Sequence, residues 1–521
     1  MKVVARILSP LFVFAATLAA QTYNTPLQHV IILIQENRTP DNLFQDPVLI
    51  ANGADISRTG FYKNSQGQIV HVPLLPVPLD ACFDPDHTHA AWITQWDGGA
   101  MDGSNQVSYT LKNKCKEEYA PPPLPTLTSV ENNLYDAVHP LLAPYYQVAE
   151  QYGFANRMFQ TNQGPSFPAH QFLYAGTSAP VPYDDPSGYW TWFSAENPVN
   201  TQLTGCIGPQ GQVVPEIAPN GKESAGYNGG YPCYDHPVLT DLLDAASPPI
   251  TWRYYAHAGS GTQQGGQIWN APNAISHVCQ SSGYGGNCEG PEWKQNVVIE
   301  SQKVLADICN GNLPQVSWVV PDGNWSDHAG TAGDDGGPSW IAALVNYIGN
   351  SNNNPGCVPE NYWSNTAILI TWDDWGGWFD HVPPLSIGYP NQTGGQYVYG
   401  FRVPLIVVSA YTKQTAGTQG FTGYISSLSY DFGSILNFIE YAFGHNGQSL
   451  GQIGPPQFPY ADTFAPDIPE GDPYSLADFF DFSAPPHGFT TITGAKYPPS
   501  YFINYRGTPH DPDDDAEDGE R

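Results

Sequence analysis

The sequence predicts an α/β protein, a three-layer α/β/α sandwich with a mainly parallel central sheet. Two patterns carry this prediction. Continuous aliphatic and β-branched runs (HVIILIQ at 29–35, QVSWVV at 315–320, TAILIT at 366–371, VPLIVVS at 403–409) are what strands buried on both faces require. Between them lie segments with apolar residues at 3.6-residue spacing, at 140–152, 339–348 and 434–443. Alternation of the two kinds of segment is the signature of helices layered on a parallel sheet. A third observation points to a site: acids directly follow two of the buried runs, Glu36 after the first and Asp373 and Asp374 after the third. In such sheets ligands bind beyond the carboxyl ends of the strands, so these acids are expected to converge on one edge.

The chain has 521 residues, 41% of them hydrophobic and 13% aromatic, enough for one large domain with insertions. Lys2 and Arg6 precede an apolar stretch from Ile7 to Leu18 that ends in Ala19-Ala20, the pattern of a signal peptide over residues 1–20, too short for a spanning helix. The expectation is a secreted or periplasmic protein with no transmembrane anchor after signal cleavage. Eight cysteines, an even number with no C-x-x-C spacing, fit four disulfides better than a structural zinc site, and Cys279 with Cys288 is one plausible pairing. The catalytic domain is expected over 21–490. Within it, about 181–295 reads as a Gly/Tyr/Cys-rich insertion or cap, and 491–521 as an acidic tail with seven acids between Asp511 and Glu520. The net charge of −31 removes any long-range attraction to nucleic acid or anionic membranes, so no nucleic-acid partner is expected. An anionic substrate would need local compensation from a metal ion, histidines or backbone N–H groups.

Five segments carry residues suited to such chemistry. TWDDWGGWFDHVPP (371–384) offers Asp373, Asp374, Asp380 and His381. Carboxylates bind a divalent cation, and a nearby histidine adds a ligand or a proton. Consecutive strand side chains point to opposite faces, so Asp373 and Asp374 can share an ion only if the chain turns, which Gly376 and Gly377 allow. QENRTPDNLF (35–44) offers Glu36 and Asn37; read alone it is equally an Asx-type cap. QGPSFPAHQFLY (163–174) places Ser166 at a helix start, where unpaired N–H groups favour an anion, although a serine there is by itself an ordinary cap. VVPDGNWSDHAG (319–330) offers Asp327 and His328, and CFDPDHTH (82–89) offers His87, which a surface loop would also explain.

Together these segments resemble the bacterial phosphoesterase family that includes phosphatidylcholine-type phospholipase C and secreted acid phosphatases, in the alkaline-phosphatase superfamily. QENRTPDNLF is similar to the family's E-N-R/H-S-F-D-N/H opening, GPSFPAHQFLYAGTS to its G-P-T/S-x-P-N-R segment, and SDH with TWDDWGGWFDHVPP to its later histidine and T-x-D-E-x-G-G-x-x-D-H-V-P-P segments. GFRVPLIVVSAYTK and DFGSILNFIE, starting at Gly400 and Asp431, also match family elements, so the resemblance spans about 28–482. It implies an alkaline-phosphatase-like fold and one divalent metal ion held by Glu36, Asn37, Asp373 and Asp374. It implies Ser166 as nucleophile, and His328 and His381 as catalytic groups at the phosphoryl oxygens or leaving group. His87, His170 and Asp327 would bind substrate, a phosphate monoester or a phospholipid. Two positions depart from the pattern: Asp374 replaces a glutamate, and Ala169-His170 replaces Asn-Arg. The absence of room for extra carboxyl-terminal β-domains favours a phosphatase over a phospholipase C. The alternative class is a secreted binding protein that kept the fold and lost activity. A sulfatase is disfavoured because no C/S-x-P-x-R segment is present.

Overall fold

A computed structural model describes residues 23–111, 121–132, 140–179, 193–199, 203–217, 229–259, 265–330, 335–388, 396–454, 461 and 468–506. The signal-like segment, Cys115 and the acidic run 511–520 lie outside the described residues. Eight strands form the central sheet: β1 (His29–Gln35), β2 (Gly153–Met158), β3 (Trp252–Ala256), β4 (Val297–Ile299), β5 (Val316–Val319), β6 (Thr366–Trp372), β7 (Leu405–Ser409) and β8 (Tyr424–Tyr430). Their order across the sheet is β4-β3-β5-β1-β6-β7-β2-β8. Only β7 runs against its neighbours; every other pairing is parallel. The β-branched run of β1 pairs with β6 along its whole length, from His29 opposite Thr366 to Gln35 opposite Trp372. Both strands are buried on both faces, as their unbroken apolar sequences require.

The helices that matter to the site are α1 (His89–Trp96), α2 (Ala143–Gln151), α3 (Ser166–Ala175), α4 (Leu239–Ala245), α5 (Lys303–Cys309), α6 (Gly337–Gly349), α7 (Phe432–Ala442) and α8 (Pro499–Ile503). On one face α6 packs against α2, α5 and α8; on the other α3 packs against α7. Local chemistry sets their ends. Pro338 occupies the first turn of α6, Asp431 caps α7 by accepting from Ser434 N–H at 3.1 Å, and Gly176 closes α3 at φ 74°, where a side chain would be strained.

Two sequence expectations need correcting. The insertion cannot run unbroken to 295, because β3, at Trp252–Ala256, belongs to the central sheet. WRYYA is short, aromatic and interrupted by Arg253, with no aliphatic run, and that composition hid a sheet strand in an aromatic-rich region. Order also extends past 490: in α8, Phe502 is fully buried against Trp325 and Trp340, at ring separations of 5.4 and 5.1 Å. Among the described residues three disulfides are seen, Cys206–Cys233, Cys279–Cys288 and Cys309–Cys357, and Cys82 is also disulfide-bonded. No described helix is long and apolar enough to cross a membrane.

The aromatic anchor of α8 gives a stability test. Phe502→Ala removes a ring from a closed contact and should lower the unfolding free energy by about 3–5 kcal/mol, read as a drop in the denaturant midpoint with an unchanged slope.

Candidate active site at the strand edge

Strand geometry explains how the acids meet. Side chains alternate between faces, and Gln35 and Trp372, opposite each other at the ends of β1 and β6, both reach Tyr145 on the α2 face. Gln35 Nε2 donates to the Tyr145 hydroxyl at 2.9 Å, and the Trp372 ring lies 5.3 Å from that of Tyr145. The next residues, Glu36 and Asp373, therefore point to the opposite face, where α3 lies. Two backbone hydrogen bonds lace this edge: Asp373 N–H to Gln35 O at 2.9 Å, and Asn37 N–H to the Asp373 carboxylate at 3.1 Å. Asn37 adopts φ 59°, a left-handed conformation that asparagine tolerates, so its side chain stays at the edge. Gly376 and Gly377, at φ 61° and 71°, make the turn after the acid pair. A Cβ on Gly376 would also sit 2.5 Å from Asn37 O.

Strand β2 runs in the same direction as β1 and delivers Ser166 to this edge at the first position of α3. The Ser166 hydroxyl donates to Asp374 Oδ2 at 3.2 Å, while Asp374 Oδ1 accepts from Gly376 N–H at 2.6 Å. One helical turn on, His170 Nε2 lies 3.2 Å from Glu36 Oε1 and 3.7 Å from Asp373 Oδ2. Glu36, His170 and Asp373 offer donor atoms all within 4.8 Å of one another. Ser166, His170, Glu36, Asp373 and Asp374 are each fully buried.

Three carboxylates so buried need compensating positive charge, and the surrounding atoms point to a cation. Asp373 Oδ2 and Asn37 Oδ1 are buried without a hydrogen-bond partner. The Asn37 amide is oriented by His87: His87 Nδ1 donates to Pro85 O at 2.9 Å, leaving Nε2 to accept from Asn37 Nδ2 at 3.2 Å. The amide oxygen is thereby left as an available ligand. These groups fit a divalent ion by charge, by donor type and by their unpaired oxygens.

A wall of rings borders the cluster. Trp269 lies 6.5 Å from His170, 6.1 Å from His328 and 5.4 Å from His257, and His87 lies 5.9 Å from His328. His328 Nδ1 donates to Ala329 O at 2.6 Å, which orients the ring. His257 is the functional candidate that the sequence analysis missed. It follows β3 directly, just as Glu36 follows β1, and recognising β3 as a sheet strand would have found it.

Other predicted residues lie apart from Ser166. The Asp327 carboxylate accepts from Tyr145 at 2.6 Å and Trp372 Nε1 at 3.1 Å on the α2 side; burial pushes it up to about 6 despite these bonds and the field of Arg38. His381 belongs to a second cluster, bonded to Asp41 at 2.7 Å and Asp55 at 3.1 Å. There the Arg402 guanidinium grips both oxygens of Asp380 at 2.9 Å and lies 3.4 Å from Asp41, so the cluster already holds its own cation. The structure thus brings together Glu36, Asn37, Ser166, His170, Asp373 and Asp374, with His87 and His328 beside them, and sets Asp327 and His381 elsewhere.

A buried hydroxyl at a helix start, beside clustered acids and histidines on a parallel-sheet edge, is the equipment of an enzyme that attacks phosphoric esters. The sequence profile of the Phosphoesterase family matches residues 27–446, and the chain belongs to that family, as a hydrolase acting on phosphoric ester bonds. It is 23% identical to phospholipase C A of Mycobacterium tuberculosis, over 81% of this chain and 73% of that protein. It is 24% identical to the non-hemolytic phospholipase C of Pseudomonas aeruginosa, over 80% of this chain and 54% of that one, and 26% identical to the Burkholderia pseudomallei non-hemolytic phospholipase C, over 50% and 36%. A solved structure of an alkaline phosphatase superfamily protein from Vibrio parahaemolyticus aligns with a TM-score of 0.32 at 11% identity, over 83% of this chain and 70% of that one. The fold assignment rests on the sheet described above.

The second cluster yields a pH test. Burial disfavours charge on the His381 ring, but the hydrogen bond to Asp41 and the fields of Asp41 and Asp380 outweigh it, so the His381 pKa is raised. A raised folded pKa gives stability that is complete below the unfolded value of about 6.5 and is lost as pH climbs through the folded value. The melting-temperature gap between wild type and His381→Asn should therefore be widest below about pH 6.5 and shrink as the pH rises above it.

Proposed function

We propose that the protein hydrolyses phosphoric esters in two steps through a phosphoryl-serine at Ser166, with a phospholipid diester as the substrate class. The observation that carries the mechanism is the Ser166 hydroxyl held against Asp374 at 3.2 Å, at the amino end of α3 and beside Glu36 and Asp373. Oγ attacks phosphorus in line as its proton passes to the Asp374 carboxylate. The P–O bond opposite breaks, its electron pair leaves with the alcohol oxygen, and the His328 imidazolium is assigned to protonate that oxygen through its Nε2–H. Water then attacks the phosphoryl-serine and gives a proton to His328, the P–Oγ bond breaks, and Asp374 returns its proton to Ser166 Oγ. The α3 dipole and its first N–H groups favour the developing charge, although the Phe167 N–H is already donated to Asn197 at 2.9 Å. Glu36, Asn37, Asp373 and Asp374 would hold a divalent ion, which when bound supplies Lewis-acid chemistry to the hydroxyl and the phosphoryl oxygens.

The phospholipid reading takes its support from the phospholipase C relatives and displaces the preference for a phosphatase drawn from chain length. The disulfides support an exported location. The closeness of Ser166 to Asp374, and of Glu36 to Asp373, favours an active enzyme over the alternative of a binding protein that lost activity.

Ser166→Ala should lower turnover of p-nitrophenyl phosphorylcholine and p-nitrophenyl phosphate by at least about 10³-fold while leaving the unfolding midpoint near wild type. Acid quenching of wild type during turnover should add one phosphoryl group to the peptide containing Ser166. Near-wild-type turnover by the variant overturns the nucleophile assignment. Phosphate release from the monoester without diacylglycerol release from phosphatidylcholine overturns the lipid assignment alone.

A further inference from the structure

Glu36, Asn37, Asp373 and Asp374 alone would make an all-oxygen site, the kind that magnesium and calcium prefer. This chain adds an imidazole at a position where the family pattern has arginine. His170 is fully buried, its position is fixed by the same helix that carries Ser166, and its Nε2 lies 3.2 Å from Glu36 Oε1 and 3.7 Å from Asp373 Oδ2. Donor atoms that share one ion at about 2.0–2.2 Å are separated by about 3.0–3.5 Å along the edges of its coordination polyhedron. The observed spacings match those edges to within a few tenths of an ångström. Asp373 Oδ2, 3.7 Å from His170 Nε2, and Asn37 Oδ1, from the residue whose backbone N–H donates to Asp373, are both buried without hydrogen-bond partners.

We propose that His170 Nε2 is a direct metal ligand and that it makes the site selective for a borderline divalent ion, of the zinc, cobalt, nickel or manganese kind, over magnesium and calcium. The inference rests on the reading of this cluster as a cation site. Imidazole nitrogen adds strongly to the affinity for first-row transition ions and little to that for hard alkaline-earth ions. The rival use of the side chain is as a protonated counter-ion to Glu36 and Asp373. The two uses exclude each other, since Nε2 carries either the proton or the ion.

The test uses the full chain, stripped with a chelator and titrated calorimetrically with zinc, cobalt, manganese, magnesium or calcium, in wild type, His170→Asn and His170→Gln. Wild type should bind zinc at least about 100-fold more tightly than magnesium. Both variants should lose about 10- to 100-fold in zinc and cobalt affinity, with magnesium affinity changed less than about 3-fold. The visible bands of the cobalt-loaded protein should shift in both variants. X-ray absorption of zinc-loaded wild type, which requires no variant to fold, should show the outer-shell scattering of a bound imidazole. Equal zinc affinity and identical cobalt spectra across the three proteins overturn the ligand role and leave the cation site standing, as does zinc-loaded wild type without imidazole scattering. A wild-type preference for magnesium or calcium overturns the selectivity. Failure of wild type to bind any ion overturns both this inference and the cation site on which it rests.

Discussion

The parallel pairing of β1 with β6, seven residues in unbroken register, ends with Gln35 beside Trp372, and the meeting of Glu36, Asn37 and Asp373 follows from that ending. A slip of one residue would turn Glu36 or Asp373 to the α2 face, among Tyr145 and Phe44, and separate the acids. Burial of both strands on both faces makes such a slip prohibitive, because each apolar side chain already has its place. The two hydrogen bonds beyond the strands, Asp373 N–H to Gln35 O and Asn37 N–H to Asp373, carry the same register into the loop residues. Like charges are thus forced together by a hydrophobic core, and the cost of crowding them is what the proposed cation would offset.

Around that edge, arginines act as fasteners. Arg38, from the same segment as Glu36 and Asn37, donates to the carbonyls of Asp327 and Leu79, both at 2.6 Å, and lies 4.9 Å over the Trp378 ring. It ties the β1 loop to the loop that carries His328 and to the turn after Asp374. Arg402 does the same at the far end of that turn by gripping Asp380. The acid pair is therefore held at both ends of a short loop, by the sheet on one side and a guanidinium on the other.

Much of this was legible in the sequence, for a physical reason. Strands β1 and β6 are continuous aliphatic runs, and helices α6 and α7 have clean 3.6-residue spacing, so burial on two faces or one stripe was written directly into residue type. Strands β2, β3 and β8 (GFANRM, WRYYA, YISSLSY) carry polar and aromatic residues that a pattern of aliphatic runs misses, and His257 was lost along with β3. His381 was misplaced for a different reason. It lies eight residues past Asp373 in the chain, yet the glycine turn and Arg402 carry it to Asp41 and Asp55. His170 showed the reverse: its sequence departure was visible, but only the fold revealed that it faces Glu36 and Asp373.

Ser166 and His170 share one face of one buried helix, a turn apart, and their separation is set by the helix pitch. Neither side chain can be advanced or withdrawn without the other, so a shift of α3 would translate nucleophile and imidazole as a single unit. Their partner Asp374 comes from a separate element, the turn through Gly376 and Gly377, so the distance from nucleophile to carboxylate is set by how α3 docks against that turn.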